Sequence, residues 1–434
     1  MIEDGWTGGG YPEGSRLQSF VTGRQRTGQI WKTLFLGATM AGIIALFALL
    51  YNVIDDSFGF VAYQNKVAPE VLVSEYYGTQ PVPEGVLSAG EVRLEALPTA
   101  DQVAMLKGRV SAGRFRALEA QQPLADRSSA ELAQLLTAEV IKPEIVAAWT
   151  LTESLFDRAR IAAEAEKLSG ARLDFRSWVT GSFLTSPQSS KPELAGVRTA
   201  IFGSLWVTLI AFVFSVPLGV GAAIYLEEYG GNSRLAQLIE TNINNLAGVP
   251  SIIYGMLGLA VFVRVLEPLT SGKLFGVVDP TTANGRTVLS AGLTIGLLIL
   301  PLIIINAREA IRAVPHALRE AGYGLGATKW QTISAHVLPN AVPGILTGVI
   351  LAISRALGET APLVVVGAST FIVVDPNGPF AKFTTLPIQI YQWTARPQAE
   401  FQHLAAGAIL VLLVLLLAMN ATAILLRNKY ARSY

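Results

Sequence analysis

The chain has 434 residues, of which 51% are hydrophobic and 15% charged, with a formal net charge of +1 and a mean hydropathy of +0.44. A soluble domain carries about 25% charged residues, so this chain is too apolar to be mostly solvated, and its balanced charge gives no reason to expect nucleic acid. Cysteine is absent, which excludes disulfides, thiolate catalysis and cysteine-held metals. His316, His336 and His403 lie far apart and form no ligand motif, so no metal site is expected.

A helix crosses ~30 Å of hydrocarbon with about 20 mainly apolar residues. Six stretches meet that requirement: 33–54, 200–226, 247–266, 288–307, 342–368 and 404–426. Pro217, Pro250, Pro301 and Pro343 fall within or near them, which spans tolerate where neighbouring helices or water satisfy the freed carbonyls. Arg16, Arg24, Arg26 and Lys32 precede the first stretch, and Arg427, Lys429 and Arg432 follow the last. An even number of spans puts both termini on one side, and the basic flanks mark it as cytoplasmic. The loop 308–340 then lies inside, and the segments around 267–287 and 369–402 lie outside. The first stretch is too long for a signal-peptide core and no A-x-A-like site follows, so it reads as an uncleaved anchor. The expected division is a cytoplasmic tail at 1–32, a first span at 33–54, an extracytoplasmic domain at 55–199, a five-helix membrane domain at 200–426 and a cytoplasmic tail at 427–434.

The 55–199 block is charged and mixed in pattern. Ser128-x-x-Glu131 is a capping box, followed by Leu132, Leu135, Leu136 and Val140 on one helical face. A weaker helical pattern over 152–168 ends before Gly170, a suitable residue just past a helix end. A small, mainly helical domain with a stabilising or docking role is expected, without a catalytic constellation.

The loop before the fifth stretch reads HALREAGYGLGATKWQTISAHVLPNAVPG. Small residues at Ala321, Gly322 and Gly326 let another backbone approach closely, Glu320 offers a charge, and Leu338-Pro339 is expected to end a helix because proline lacks a donor and restricts its predecessor. Glu320, Ala321, Gly322, Gly326, Leu338 and Pro339 together resemble the EAA loop of ATP-binding-cassette (ABC) importer permeases, E-A-A-x3-G-x9-I-x-L-P. Two positions depart from it, Gly322 in place of alanine and His336 in place of isoleucine. In that family the short helix docks into a groove on the ATPase subunit, so the resemblance implies a coupling loop within 308–340.

Within the fifth stretch, Arg355 and Glu359 are four apart and share a helical face in an apolar setting. An unpaired charge there costs ~2.5–3.5 kcal/mol on insertion scales. Two readings stand equal on position alone: an ion pair that fixes helix packing, or an arginine that meets an anion in transit, tuned by Glu359. The planar guanidinium suits oxyanions. The run Arg355-Ala-Leu-Gly-Glu-Thr-Ala-Pro-Leu363 resembles PstA-type permease subunits of bacterial phosphate importers, as do PLGVGAAIYLEEY at 217–229, GVPSIIYG at 248–255 and LPIQIY at 386–391. The likeness runs in order over roughly the last 240 residues; Glu227-Glu228 taken alone would be a solvated helix end.

That resemblance implies an all-α transmembrane fold, a six-helix type I ABC importer permease with a mainly helical extracytoplasmic insertion, in the bacterial inner membrane. It implies a PstC-like permease subunit, two PstB-like ATPase subunits and a periplasmic phosphate-binding protein as partners, with Arg355, Glu359 and Thr360 on the translocation path. No G-x-x-x-x-G-K-[ST] phosphate cradle occurs, so ATP and Mg are expected on the ATPase, this chain holding no cofactor. With no G-x-S-x-G or H-E-x-x-H either, it is expected to be a transporter subunit and not an enzyme. A permease for sulfate or molybdate, a secondary transporter or channel, and a phosphate-sensing scaffold remain the alternatives.

Overall fold

The computed structural model describes residues 14–430 apart from 84, 89–90, 169–170, 232, 278–283 and 369–370. Gly170, Arg432 and the start of the N-terminal tail therefore lie outside the described residues. The chain divides into two compact units, Met1–Ile54 and Asp55–Tyr434. The first is built on helix α1, Ser15–Ser57, which runs past the apolar 33–54 stretch at both ends without a break. Its Phe20–Ser57 part is long and apolar enough to cross a membrane.

In the second unit the block after α1 is mainly helical, but it also holds a sheet that periodicity does not reveal. Strand β1, Phe58–Asn65, is central and pairs antiparallel with β2, Pro143–Ala148, and β3, Ala171–Ser177. Val61 stands opposite Ala148 on one side and Asp174 on the other, and a bulge falls between Ala62 and Tyr63. Successive side chains of β1 point to opposite faces. Val61 joins Ile145, Trp178 and Val197 in a cluster that includes Phe401 and Leu404 of the last helix. Ala62 faces the other way, into Trp149, Ile161 and Ala165.

Helices α2, Thr99–Arg109, and α3, Ser129–Leu136, close a separate core around Leu106, Leu132 and Leu136. At the start of α3 both capping-box bonds form. Ser128 Oγ accepts the Glu131 N–H at 3.3 Å, and Glu131 Oε2 accepts the Ser128 N–H at 2.8 Å. The Ser128 backbone N–H, and then its hydroxyl, hold the Glu131 carboxyl below its ordinary value. A depressed carboxylate stabilises the fold above its unfolded pKa, and that support is lost as pH falls through the folded value. The protection of the 129–136 amides from hydrogen exchange, taken relative to the intrinsic rate at each pH, should therefore fall at acid pH in the native chain, and Glu131→Gln should flatten that dependence. The helical pattern at 152–168 resolves into two pieces, α4, Leu151–Phe156, and α5, Arg158–Glu166, broken at Asp157.

The membrane part begins with α6, Arg198–Ile224, which continues as a wider π turn to Tyr229. Then come α7, Arg234–Ala247, and α8, Ser251–Gly258, the latter extended by a π segment to Val265. These two lie 106° apart. Pro250 sits at the bend as the N-cap of α8, where a missing N–H does no harm. Next are α9, Val288–Arg312; α10, His316–Gly324; and α11, Lys329–Thr332, which passes through a π turn into α12, Leu338–Gly358. Short helices α13, Ala361–Val366, and α14, Leu386–Thr394, precede α15, Ala399–Tyr430. Among the described residues five helices are long and apolar enough to cross a membrane, and the bent α7–α8 pair makes a sixth if it counts as one span.

Helix α9 is the centre of this bundle. Ile295, Ile299 and Ile303 are buried, and α6, α8 and α12 pack around it. Lipid offers no hydrophobic drive for helix association, so close approach through small residues carries it. Ser215 Oγ of α6 donates to the Gly296 carbonyl of α9 at 2.8 Å, and Gly258 of α8 lies directly on the Thr294 side chain. A methyl at 258 has no room there. Gly258→Ala should cost about 1–3 kcal/mol through overpacking, read as a lower thermal midpoint of the purified chain in detergent, while the same change at open Gly221 should be neutral.

Candidate functional site

The Arg355–Glu359 pair forms, with Nε to Oε1 at 3.1 Å, but it does not sit mid-span. Helix α12 stops at Gly358, and Glu359 is the extended residue that caps it. Arg355 thus lies in the last turn, where a cation is favoured by the helix dipole. Thr360 opens α13, its carbonyl accepting the Leu363 and Val364 N–H groups, with Pro362 in the first turn. The physical cause is Pro362: it has no N–H to give the Gly358 carbonyl four residues back and its ring crowds that carbonyl, so the helix stops and restarts with proline in the first turn. The apolar 342–368 stretch is therefore divided, and its charges stand at the division. The Glu359 side chain is 17% exposed and that of Arg355 46%. Arg355 Nε is taken by Glu359, while no hydrogen bond is found for its two terminal nitrogens among the described residues.

Two of the sequence motifs meet here. Gly255, closing GVPSIIYG, approaches Pro362 so nearly that a Cβ would come within 2.7 Å of its Cα. Helix α8 is thereby seated on the break after α12. Gln389 of LPIQIY is buried elsewhere, donating to the Gly196 carbonyl at 2.8 Å.

The EAA-like residues lie at the other end of α12, about 25 Å from Arg355 at 1.5 Å per residue. Helices α10 and α11 form a hairpin. Glu320 and Ala321 are exposed on α10, whereas Gly322 is buried against Thr332 of α11. The smallness of Gly322 therefore serves the hairpin's own closure. Gly326 has open space around it and a φ of +79°, so its glycine is required by a left-handed turn and not by a close neighbour. Leu338-Pro339 does not end a helix. The π turn at Ile333–Val337 absorbs the missing proline donor, and Pro339 lies in the first turn of α12. Around the tip Leu325 is 88% exposed, with Trp330, Tyr323 and Leu318 also on the surface.

In sequence the arginines of this loop show no partner, and Glu227-Glu228 taken alone is a solvated helix end. The structure joins them. Glu228 Oε1 receives Arg319 Nη2 at 2.8 Å and Nε at 3.0 Å, and both side chains are at most 10% exposed. Glu227 is shared by Arg308 and Arg312, and Arg308 also reaches Glu240 of α7 at 2.9 Å. Two adjacent acids ending α6, two arginines ending α9 and a third on α10 form the pattern that points to such a cluster.

An apolar helical bundle with an exposed hairpin between two spans defines a multi-pass membrane component, and sequence comparison identifies its kind. Residues 215–430 match the family of binding-protein-dependent transport system inner membrane components. The chain is 38% identical over 238 residues to the phosphate transport system permease protein PstA of Yersinia pestis, covering 54% of this chain and 74% of that one. It is 37% identical over 233 residues to PstA 1 of Mycobacterium tuberculosis, covering 54% and 70%. It is 30% identical over 261 residues to the probable ABC transporter permease protein YqgI of Bacillus subtilis, covering 57% and 83%. The chain belongs to this family of ABC importer permeases: a multi-pass inner-membrane transporter subunit, not an enzyme.

Proposed function

We propose that this chain is the PstA-like permease subunit of an ATP-driven phosphate importer. The reading rests on the Arg355–Glu359 pair at the break after α12, in a chain that shares 37–38% identity with permeases named for phosphate transport. One edge of the guanidinium holds Glu359, and its outer nitrogens can meet an oxyanion with parallel N–H groups. Glu359 keeps the well shallow, since a carboxylate beside the arginine opposes a second anion. The hydroxyl of Thr360 adds a neutral donor at the same break.

The proposed assembly contains a PstC-like permease subunit, two ATPase subunits that carry ATP and Mg, and an extracytoplasmic phosphate-binding protein. Both termini face the cytoplasm, and this chain binds no cofactor of its own. The hairpin with Glu320, Ala321, Gly322 and Gly326 docks on an ATPase through its exposed apolar tip and, with Leu338 and Pro339, leads directly into the span that ends at Arg355. Uptake of labelled phosphate at low concentration tests the reading, in a strain lacking its own permease and supplied with the partner subunits. Uptake that requires this gene and resists unlabelled sulfate and molybdate is expected. An assembled complex that imports no phosphate would overturn the substrate while leaving the family untouched.

A further inference from the structure

We propose that Arg319 is the positioning residue through which movement of the hairpin reaches the membrane helices. The inference rests on the coupling role proposed for the hairpin and names the part that carries its motion. Arg319 lies on α10, one position before Glu320, with its side chain turned inward and only 8% of the residue exposed. Its guanidinium makes four bonds to two other elements. Nε and Nη2 donate to Glu228 at 3.0 and 2.8 Å, in the π turn that ends α6. Nη1 donates to the Val314 carbonyl at 2.7 Å, and Nη2 to the Ile311 carbonyl at 3.0 Å, at the end of α9.

The Ile311 carbonyl lies in the last turn of α9 and the Val314 carbonyl two residues past its end, so the arginine braces that end while gripping α6. A planar fork with donors in fixed directions can do this, and a lysine ammonium, a single point charge on a flexible stem, cannot hold all four directions at once. Gly322, buried on Thr332, ties α10 to α11 and hence to α12. A displacement of α10 thus reaches α6 through this side chain, α9 through it and the short 313–315 link, and α12 through the hairpin itself. Arg308 and Arg312, on Glu227, hold the ends of α6 and α9 together in parallel. They do not touch α10 in any bond found among the described residues; Lys329 of α11 lies over the Tyr229 ring at 4.9 Å, and Arg319 supplies the ion pair between hairpin and α6.

The test uses the assembled importer in proteoliposomes, with transport and ATP hydrolysis measured on the same preparation. Arg319→Lys and Glu228→Gln keep side-chain bulk and avoid stranding a buried arginine or carboxylate without any partner. Hydrolysis stimulated by the binding protein should stay near the native rate while transport falls, raising the ATP consumed per substrate by about 2- to 30-fold. The chain has no cysteine, so spin labels introduced at exposed Ala317 of α10 and Tyr225 report the hairpin against α6. That distance should be narrow and unchanged between resting and ATP-trapped native complex, and broadened in Arg319→Lys. Hydrolysis and transport falling in equal proportion, with a native distance distribution, would overturn the proposal and make Arg319 a holder of the hairpin's fold alone. Leu325→Glu separates the underlying reading: if ATPase binding survives that change, the hairpin is not the docking element, whatever Arg319 does.

Discussion

Arg355→Ala should lower phosphate uptake by about tenfold or more, the loss of one charge-assisted hydrogen bond being worth ~1.5–3 kcal/mol, while the amount of assembled complex stays native. The side chain is nearly half exposed and stands at the end of α12, so its removal leaves no cavity. Glu359 loses a partner but is the residue after the helix, where its backbone is already extended. An arginine whose only task was to fix packing would behave differently: assembly and uptake would fall together, and Arg355→Ala combined with Glu359→Ala would restore both. Glu359→Gln adds a second check. For an anion path it should tighten substrate and slow its release, so uptake at saturating phosphate falls while the half-saturating concentration drops. Arg355→Lys should lie between native and alanine, since charge is kept and the fork is lost.

Leu325→Glu should weaken binding of the ATPase subunit by about 10- to 100-fold, because burying a leucine side chain contributes ~1.5–3 kcal/mol and a carboxylate at the same point adds desolvation. Leu325 is the most exposed large apolar side chain of the hairpin, on a turn held by Thr328, whose hydroxyl caps α11. Gly326 offers an independent approach to the same turn. Its φ of +79° means that even alanine is strained there, by about 1–2 kcal/mol, and Gly326→Trp adds bulk at the tip. Binding-protein-stimulated hydrolysis should drop in both variants. Co-purification with the ATPase, measured against salt and detergent, reads association directly; native levels for Leu325→Glu would remove the hairpin from the contact.

Most of the architecture was legible because lipid demands long apolar runs, and α1, α6, α9, α12 and α15 each carry one. The capping box at Ser128 and Glu131 was legible too, since both bonds lie within one turn. The sheet was not, because β1 finds its partners at 143–148 and 171–177, a pairing that no local window contains. Helix ends were harder than helix centres. The Glu359–Thr360 break hides in an apolar stretch, signalled only by Pro362 two residues later, and the bend before α8 is marked by Pro250 alone. Among the candidate residues, Arg355 and Glu359 do meet, as their spacing implied. Gly322 and Gly326 were singled out for closeness to another protein. One proves to serve an internal contact and the other a backbone angle, distinctions that only three dimensions supply. Glu228 and Arg319 were overlooked because charges near span ends were counted for their sign and not matched with each other.

The shared core of β1, β2 and the last helix bears on how this chain could be cut down. Trp178 and Phe183 of the insertion pack in one core with Trp393 of α14 and Phe401 and Leu404 of α15. The 58–197 block is therefore not a bead on a string that can be excised at its two ends. A minimal permease made by joining 57 to 198 would inherit a bare aromatic seat at the head of its last helix. Trp393 and Phe401 would face solvent, inviting aggregation or slippage of α15 along its axis. A workable miniature would have to redesign that seat with polar residues, or keep the sheet and discard only the helical cluster around Leu106 and Leu132, whose core is its own.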